Sequence, residues 1–218
     1  MSKRKIILCV CFVLFSTLSS YVYAEESSFS MKTGAYVALS WVHNSIGGDF
    51  DDSMFYYGTS ALYNVPEVDS GTGFAIALGG KSEKGAIELS YQRSTHDTHT
   101  AFTDIGDQKA EYNVVDINFK IDVFAKNRIR PFILFGFGFP WLTIENNMTD
   151  GVTYSDEKFT GISGNIGVGI AFYFHPKWCL NGGLLYRWQS FSRIEGIKLD
   201  ENVGGSGASY TFGIAYTF

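Results

Sequence analysis

Three cysteines in 218 residues leave almost no material for a disulfide framework. Two of them, Cys9 and Cys11, fall in an N-terminal stretch with the marks of an export signal. The exported chain would keep only Cys179, and one thiol forms no intramolecular bridge. Proline is scarce, at four, beside 24 glycines and 17% aromatic residues, which argues against disorder and against a helical bundle. No apolar run approaches the roughly 20 residues that a membrane-crossing helix needs. The chain has no basic stripe and a formal charge of −5, so nucleic acid is excluded as a partner. Phosphate-binding loops, metal clusters and nucleophile elbows are missing as well, and the expectation is a non-enzyme without cofactors.

Lys3, Arg4 and Lys5 precede an unbroken apolar core, Ile6 to Phe15, and Val22 and Ala24 stand before Glu25. Basic, apolar and small residues in that order make 1–24 a cleavable signal peptide and 25–218 the mature domain. Its loss leaves 194 residues and takes the formal charge from −5 to −8.

The mature chain alternates with a period of two, the mark of strands. Candidate strands are Thr33 to His43, Thr72 to Gly80, Ala86 to Ser94, Val115 to Val123, Pro131 to Phe139, Asn165 to Phe172, Trp178 to Ser190 and Ala208 to Phe218. The clearest sets Val115, Ile117, Phe119, Ile121 and Val123 against Asp116, Asn118, Lys120 and Asp122. Connections alternate: long at about 44–70, 95–110, 140–160 and 191–207, short between. The pattern predicts an all-β fold, an eight-stranded antiparallel up-and-down transmembrane β-barrel.

Volume decides which face is inside. Eight strands enclose room for only modest side chains, whereas one face carries dozens of large apolar ones. The opposite face is dominated by Gly, Ala, Ser and Thr, where a soluble exterior would show long charged chains. The apolar face therefore meets lipid, and ring closure lets every peptide group pair where water is absent. Glu88, Asp116, Lys120, Asp122 and Arg187 carry the inward parity and should pair, Glu88 near Lys120, as a lumen charge network.

In the last strand, Tyr210, Phe212, Ile214, Tyr216 and Phe218 share one face. A terminal Phe preceded by alternate aromatic or apolar residues resembles the closing strand of bacterial outer-membrane barrels. Pro131-Phe132 followed by Gly136 and Gly138 resembles the fifth strand of the OmpA type. The chain is thus similar to the OmpA transmembrane domain, OmpX and the opacity-type surface proteins. That resemblance implies a monomer in the outer membrane, in contact with its lipid and lipopolysaccharide. It implies that the barrel-assembly machinery reads the closing strand, and that long outward loops serve adhesion or envelope integrity around a plugged lumen. A narrow pore and a lipid-modifying enzyme are the alternatives.

The long connections carry a net −12 and the short turns +5. Asp49, Asp51 and Asp52 form the densest acidic cluster and the candidate contact with a host or surface ligand, whether a divalent cation or a basic surface. Two further groupings carry less. His96-Asp97-Thr98-His99 offers two imidazoles without a third ligand. His43 and Ser45 share the lipid-facing parity, as in barrel lipid A deacylases, but Ile46 follows where that motif has Asn, and no Glu is placed to orient His43.

Overall fold

The fold comes from a computed structural model that describes residues 30–51, 54–57, 62–99, 108–124, 127–149, 153–194 and 197–218. Residues 1–24, expected as a signal peptide, lie outside them. Eight long strands carry the architecture: β1 (Gly34–Asn44), β6 (Gly71–Lys81), β7 (Gly85–His99), β8 (Gln108–Asp122), β9 (Ile129–Thr149), β10 (Thr153–His175), β11 (Trp178–Ile194) and β12 (Ile197–Thr217). Four short ones, β2 (Gly47–Gly48), β3 (Met54–Tyr57), β4 (Leu62–Val65) and β5 (Glu67–Val68), lie between β1 and β6.

Each long strand pairs antiparallel with its sequence neighbour among the eight, and β12 pairs with β1 from Tyr36↔Thr217 to Asn44↔Ser209. Following the pairings therefore returns to the starting strand. Each long strand has a neighbour on both sides, as a lipid environment requires of a β structure.

The outward wall between the turns and the strand middles is apolar and bare. Leu39, Leu78, Ile87, Leu89, Phe139, Ile162, Val168 and Phe212 are each more than half exposed. Aromatic residues flank this band. Trp41, Trp141, Tyr186, Trp188 and Tyr210 are at one edge, and Trp178, Tyr216 and Phe218 at the other. Such belts sit where a bilayer meets water.

The strands are longer than the sequence pattern indicates. About 9–11 residues of a tilted strand cross a bilayer, yet β9 has 21 residues, β10 has 23 and β12 has 21. The surplus lies at one end, where most of 140–160 and 191–207, expected as loops, continue as β9–β10 and β11–β12 pairing. The physical reason is a reversal of faces. On β8, Ala110, Tyr112 and Val114 point inward and are buried, whereas Val115, Ile117, Phe119 and Ile121 point outward. Outside the bilayer the exterior meets water, so the apolar residues move to the interior and the polar ones to the surface. A search for one constant apolar face stops at that reversal.

The interior of this outer extension is a packed core. Ile46, Phe50, Val65, Tyr112, Leu142, Ile144, Phe159, Phe191, Ile194 and Val203 form one buried cluster. Phe50 comes from the first long connection and is fully buried. It meets Phe159 at 5.9 Å and Phe191 at 5.6 Å between ring centroids, both edge-on. Phe50, with Val65 of the same connection, therefore packs into the outer mouth.

Candidate functional site

The inward residues of the membrane segment form tiers. Nearest the short turns, Met31, Tyr36, Phe132, Tyr173 and Cys179 make a small apolar cluster. Cations lie against its rings: Lys81 Nζ is 4.3 Å from the Tyr173 centroid and Lys120 Nζ is 4.6 Å from that of Phe132. Glu88 Oε2 accepts hydrogen bonds from the Tyr36 hydroxyl and from Lys120 Nζ, the latter at 3.3 Å. Asp122 faces Arg130 at 3.9 Å, and Arg130 also donates to the Asn127 and Glu83 carbonyls.

One tier further out, Arg187 Nη2 lies 2.5 Å from Asp116 Oδ2 and its Nη1 donates to the Tyr112 hydroxyl at 3.2 Å. The Tyr112 hydroxyl in turn donates to Gln189 Oε1 at 2.9 Å, and Asn165 donates to Asp116 Oδ1 at 3.3 Å. Gly136 and Gly138 of β9 stand opposite Asn118 and Asp116 in register. A Cβ at Gly138 would overlap the Asp116 carboxylate, and one at Gly136 the Asn118 amide. The spaced glycines thus leave room for the polar tier. A cavity of about 110 Å³ remains, lined by Glu88, Asp116, Lys120 and Arg187 among others.

All five sequence-predicted lumen residues point inward, but not as one network. Glu88 and Lys120 form one group, Asp116 and Arg187 a second, and Asp122 a third with Arg130. Arg130 stands beside Pro131 at the end of a short connection, yet its side chain is only 2% exposed. Its signal was its parity with Phe132 and Leu134, which also point inward. Tyr112 lies beyond the reversal of faces, which hides it in the pattern, whereas Gln189 keeps the inward parity of Arg187 within the Trp178 to Ser190 strand.

The closing-strand residues Tyr210, Phe212, Ile214, Tyr216 and Phe218 all point outward. Tyr216 packs on Trp178 at 4.6 Å and on Phe218 at 5.2 Å.

At the outer end the acidic candidates do local structural work. Asp49 Oδ2 accepts from the Gly204 amide at 2.7 Å, and Asp51 Oδ2 from the Gly48 amide at 2.9 Å. Gly48 has φ +83, which suits glycine, and the turn holds β2 against β12. Asp52 lies outside the described residues.

His96 and His99 fall on opposite faces of β7 and both bind Asp69. His96 is buried and its Nδ1 meets the Asp69 carbonyl at 2.7 Å; the exposed His99 Nε2 meets the carboxylate at 3.1 Å. A carbonyl only accepts, so His96 carries its proton on Nδ1 and its Nε2 accepts from Ser94. Burial pushes the His96 pKa down from the usual histidine range, opposed by the hydrogen bond to Asp69. Among the described residues, no three His, Cys, Asp or Glu side chains gather to hold a metal ion.

His43 stacks between Trp41 and Tyr210, at 6.1 and 6.3 Å, within the aromatic belt. The Ser45 hydroxyl exchanges hydrogen bonds with the Ala208 amide and carbonyl. That pairing ties its oxygen to the neighbouring strand.

The sequence model described as outer membrane protein beta-barrel domain matches residues 10–218. No curated protein matches the sequence. Among solved structures the chain is similar to Neisserial surface protein A, with 14% identity and a TM-score of 0.54 over 85% of this chain and 97% of that one. It is also similar to Ail, the attachment invasion locus protein of Yersinia pestis, solved with the heparin analogue sucrose octasulfate. Identity there is 14% and the TM-score 0.50, over 86% of this chain and all of the other. OprG of Pseudomonas aeruginosa follows at 12% identity and a TM-score of 0.48, over 87% and 98%. At such identities the likeness is one of fold.

Proposed function

The chain belongs to the outer-membrane β-barrel domain family, a family of the bacterial outer membrane, and from that premise we propose a surface-display barrel with a structural and adhesive role. The observation that carries this reading is the filling of the interior. Ion-paired tiers occupy the membrane segment, and a buried apolar core fills the outer extension. A barrel built this way offers solutes no continuous aqueous path, which leaves the outer end as its working surface.

Among the described residues, much of that surface is paired β structure, as in the β9–β10 and β11–β12 extensions. Its outward side chains include Asp51, Asp69, Asp97, Glu145 and Asp156, all exposed. Ail, a fold relative, is described as an attachment invasion locus protein bound to a sulfated heparin analogue. The acidic outer end of the present chain favours a partner of opposite charge, a basic protein surface.

Adherence of whole cells to an immobilised basic protein tests the reading. Cells displaying the barrel should bind more than cells without it. The gain should fall as Asp97, Glu145 and Asp156 are changed to Asn or Gln, and fall with added salt. Adherence indifferent to all three would remove the adhesive role. The alternatives find less support: Ser45 is tied to Ala208 rather than to His43, and the lumen cavity is small.

A further inference from the structure

Seven of the eight neighbouring pairs of long strands are joined by a stretch of chain at one end. The eighth pair, β1 with β12, has no such connection, because it unites the first strand with the last. At the short-turn end of this seam the Phe218 amide donates to the Ala35 carbonyl at 2.9 Å. On the other side of β12 the Thr217 amide donates to the Lys177 carbonyl at 2.8 Å. An uncovered mouth would leave the inward side chains at this level wet, yet Tyr173, Cys179 and Ala215 are all buried.

The segment just before β1 packs against them. Gly34 has φ +139, a conformation that side-chain-bearing residues rarely adopt, and there the chain turns out of the sheet. Met31 is then buried in one cluster with Tyr36 of β1, Tyr173 of β10, Cys179 of β11 and Ala215 of β12. The Lys32 amide donates to the Pro176 carbonyl at 3.0 Å. Pro176 stands in the turn between β10 and β11, so that bond reaches past β12. Ser30, Lys32 and Thr33 are exposed, which leaves Met31 as the one buried side chain of the four. An unbranched thioether suits the place, since it fills an irregular gap among rings. A search for strands passes over Met31, because it belongs to no alternation.

We propose that residues 30–33 form a clasp that holds the β1–β12 seam and covers the short-turn end of the lumen, with Met31 as its tongue. Two features make the seam what it holds. The cluster around Met31 draws on both sides of the seam, Tyr36 from β1 and Ala215, Cys179 and Tyr173 from β12 and the strands beyond it. The Lys32 hydrogen bond ties the start of β1 to a turn on the far side of β12, a tie across the one junction that lacks a connecting chain. Bringing two strands together without a short connection carries the largest loop-closure cost, so added contacts count most there. The clasp lies at the opposite end of the barrel from the outer tip and is independent of what that tip contacts.

The test uses the folded protein in detergent micelles, where both ends are open to solvent. Peptide-resolved mass spectrometry follows two things, labelling of Cys179 by a small water-soluble thiol reagent and amide exchange along the strands. In the wild type Cys179 should label slowly. Met31→Gly should speed labelling about tenfold or more, the factor that burial of a methionine side chain is worth in a closed–open equilibrium. Exchange should rise at 35–37 and 216–218 along the seam and stay low at 117–119 on β8. Lys32→Pro keeps Met31 but removes the donated N–H, so it should raise both readouts. Lys32→Gln keeps the amide and should change neither. An unshifted heat-modifiable band verifies folding; where Met31→Gly loses that band, Lys32→Pro decides. Rapid labelling of the wild type would overturn the proposal, as would wild-type labelling and exchange in the folded variants. Faster labelling with unchanged exchange at the seam would overturn it too, since Met31 would then be a plug that holds nothing together.

Discussion

Val114 and Val115 are adjacent in β8 and face opposite surroundings, Val114 fully buried in the outer core and Val115 turned toward lipid. They mark the level at which the barrel leaves the bilayer. The same outward parity on β7 carries Ile87, Leu89 and Tyr91, then Arg93, Thr95 and Asp97. Leu89 and Thr95 are both exposed, so substitution at either disturbs little packing. Leu89→Arg should cost about 2–4 kcal/mol and Thr95→Arg about 0–1, by depth alone. Equilibrium unfolding in lipid vesicles measures both; equal costs would put the boundary elsewhere.

The outer core makes its own prediction. Phe50 is a fully buried ring at the meeting of the first connection with β10 and β11, and truncating such a ring costs about 3–5 kcal/mol. Since the membrane segment does not share that core, Phe50→Ala should loosen the outer end alone. Hydrogen exchange should rise in 46–50 and 191–203 while the heat-modifiable band persists. Loss of the folded band would mean that the two regions form one cooperative unit.

The Asp116–Arg187 pair should behave as a buried ion pair. Arg187→Met strands the Asp116 carboxylate and should cost about 3–5 kcal/mol, whereas Asp116→Asn with Arg187→Met should cost less than that single change. Vesicle unfolding of Arg187→Met, Asp116→Asn and the double variant closes the cycle. A double variant no better than Arg187→Met would show that the pair is held mainly by packing.

These residues also show what the sequence displays and what it hides. Inward parity was enough to bring Glu88 and Lys120 together, because the two lie one diagonal apart on paired strands. Arg130 obeys the same parity as Phe132, but its place beside a turn and Pro131 reads as rim. Parity fails beyond Val114, where the apolar set changes faces and strands look like polar loops. Paired apolar positions such as Leu142 and Ile144 carried the missing signal, but in the opposite phase. Asp49 and Asp51 looked like free ligands because a composition count does not see the backbone amides they accept from.

Acid should destabilise the outer end through His96. Its folded pKa is lowered by burial, so the folded state binds fewer protons than the unfolded one. Stability is then full above the unfolded histidine value and declines as pH falls through the lowered folded one. The groups influencing it are His43, Asp69 and Asp97, with Ser94 and Tyr112 in contact. Protease sensitivity of the first connection should rise on acidification in the wild type, and less so in His96→Gln. Identical profiles would assign the pH response to other groups.

Current through single molecules in a planar bilayer tests the filled interior most directly. Silence is the predicted result, with no stable or repeatable open level, because ion-paired side chains and the apolar outer core leave no continuous water column. A steady conductance whose ion preference shifts in Glu88→Gln or Arg187→Gln would contradict it, and those residues would then line a path.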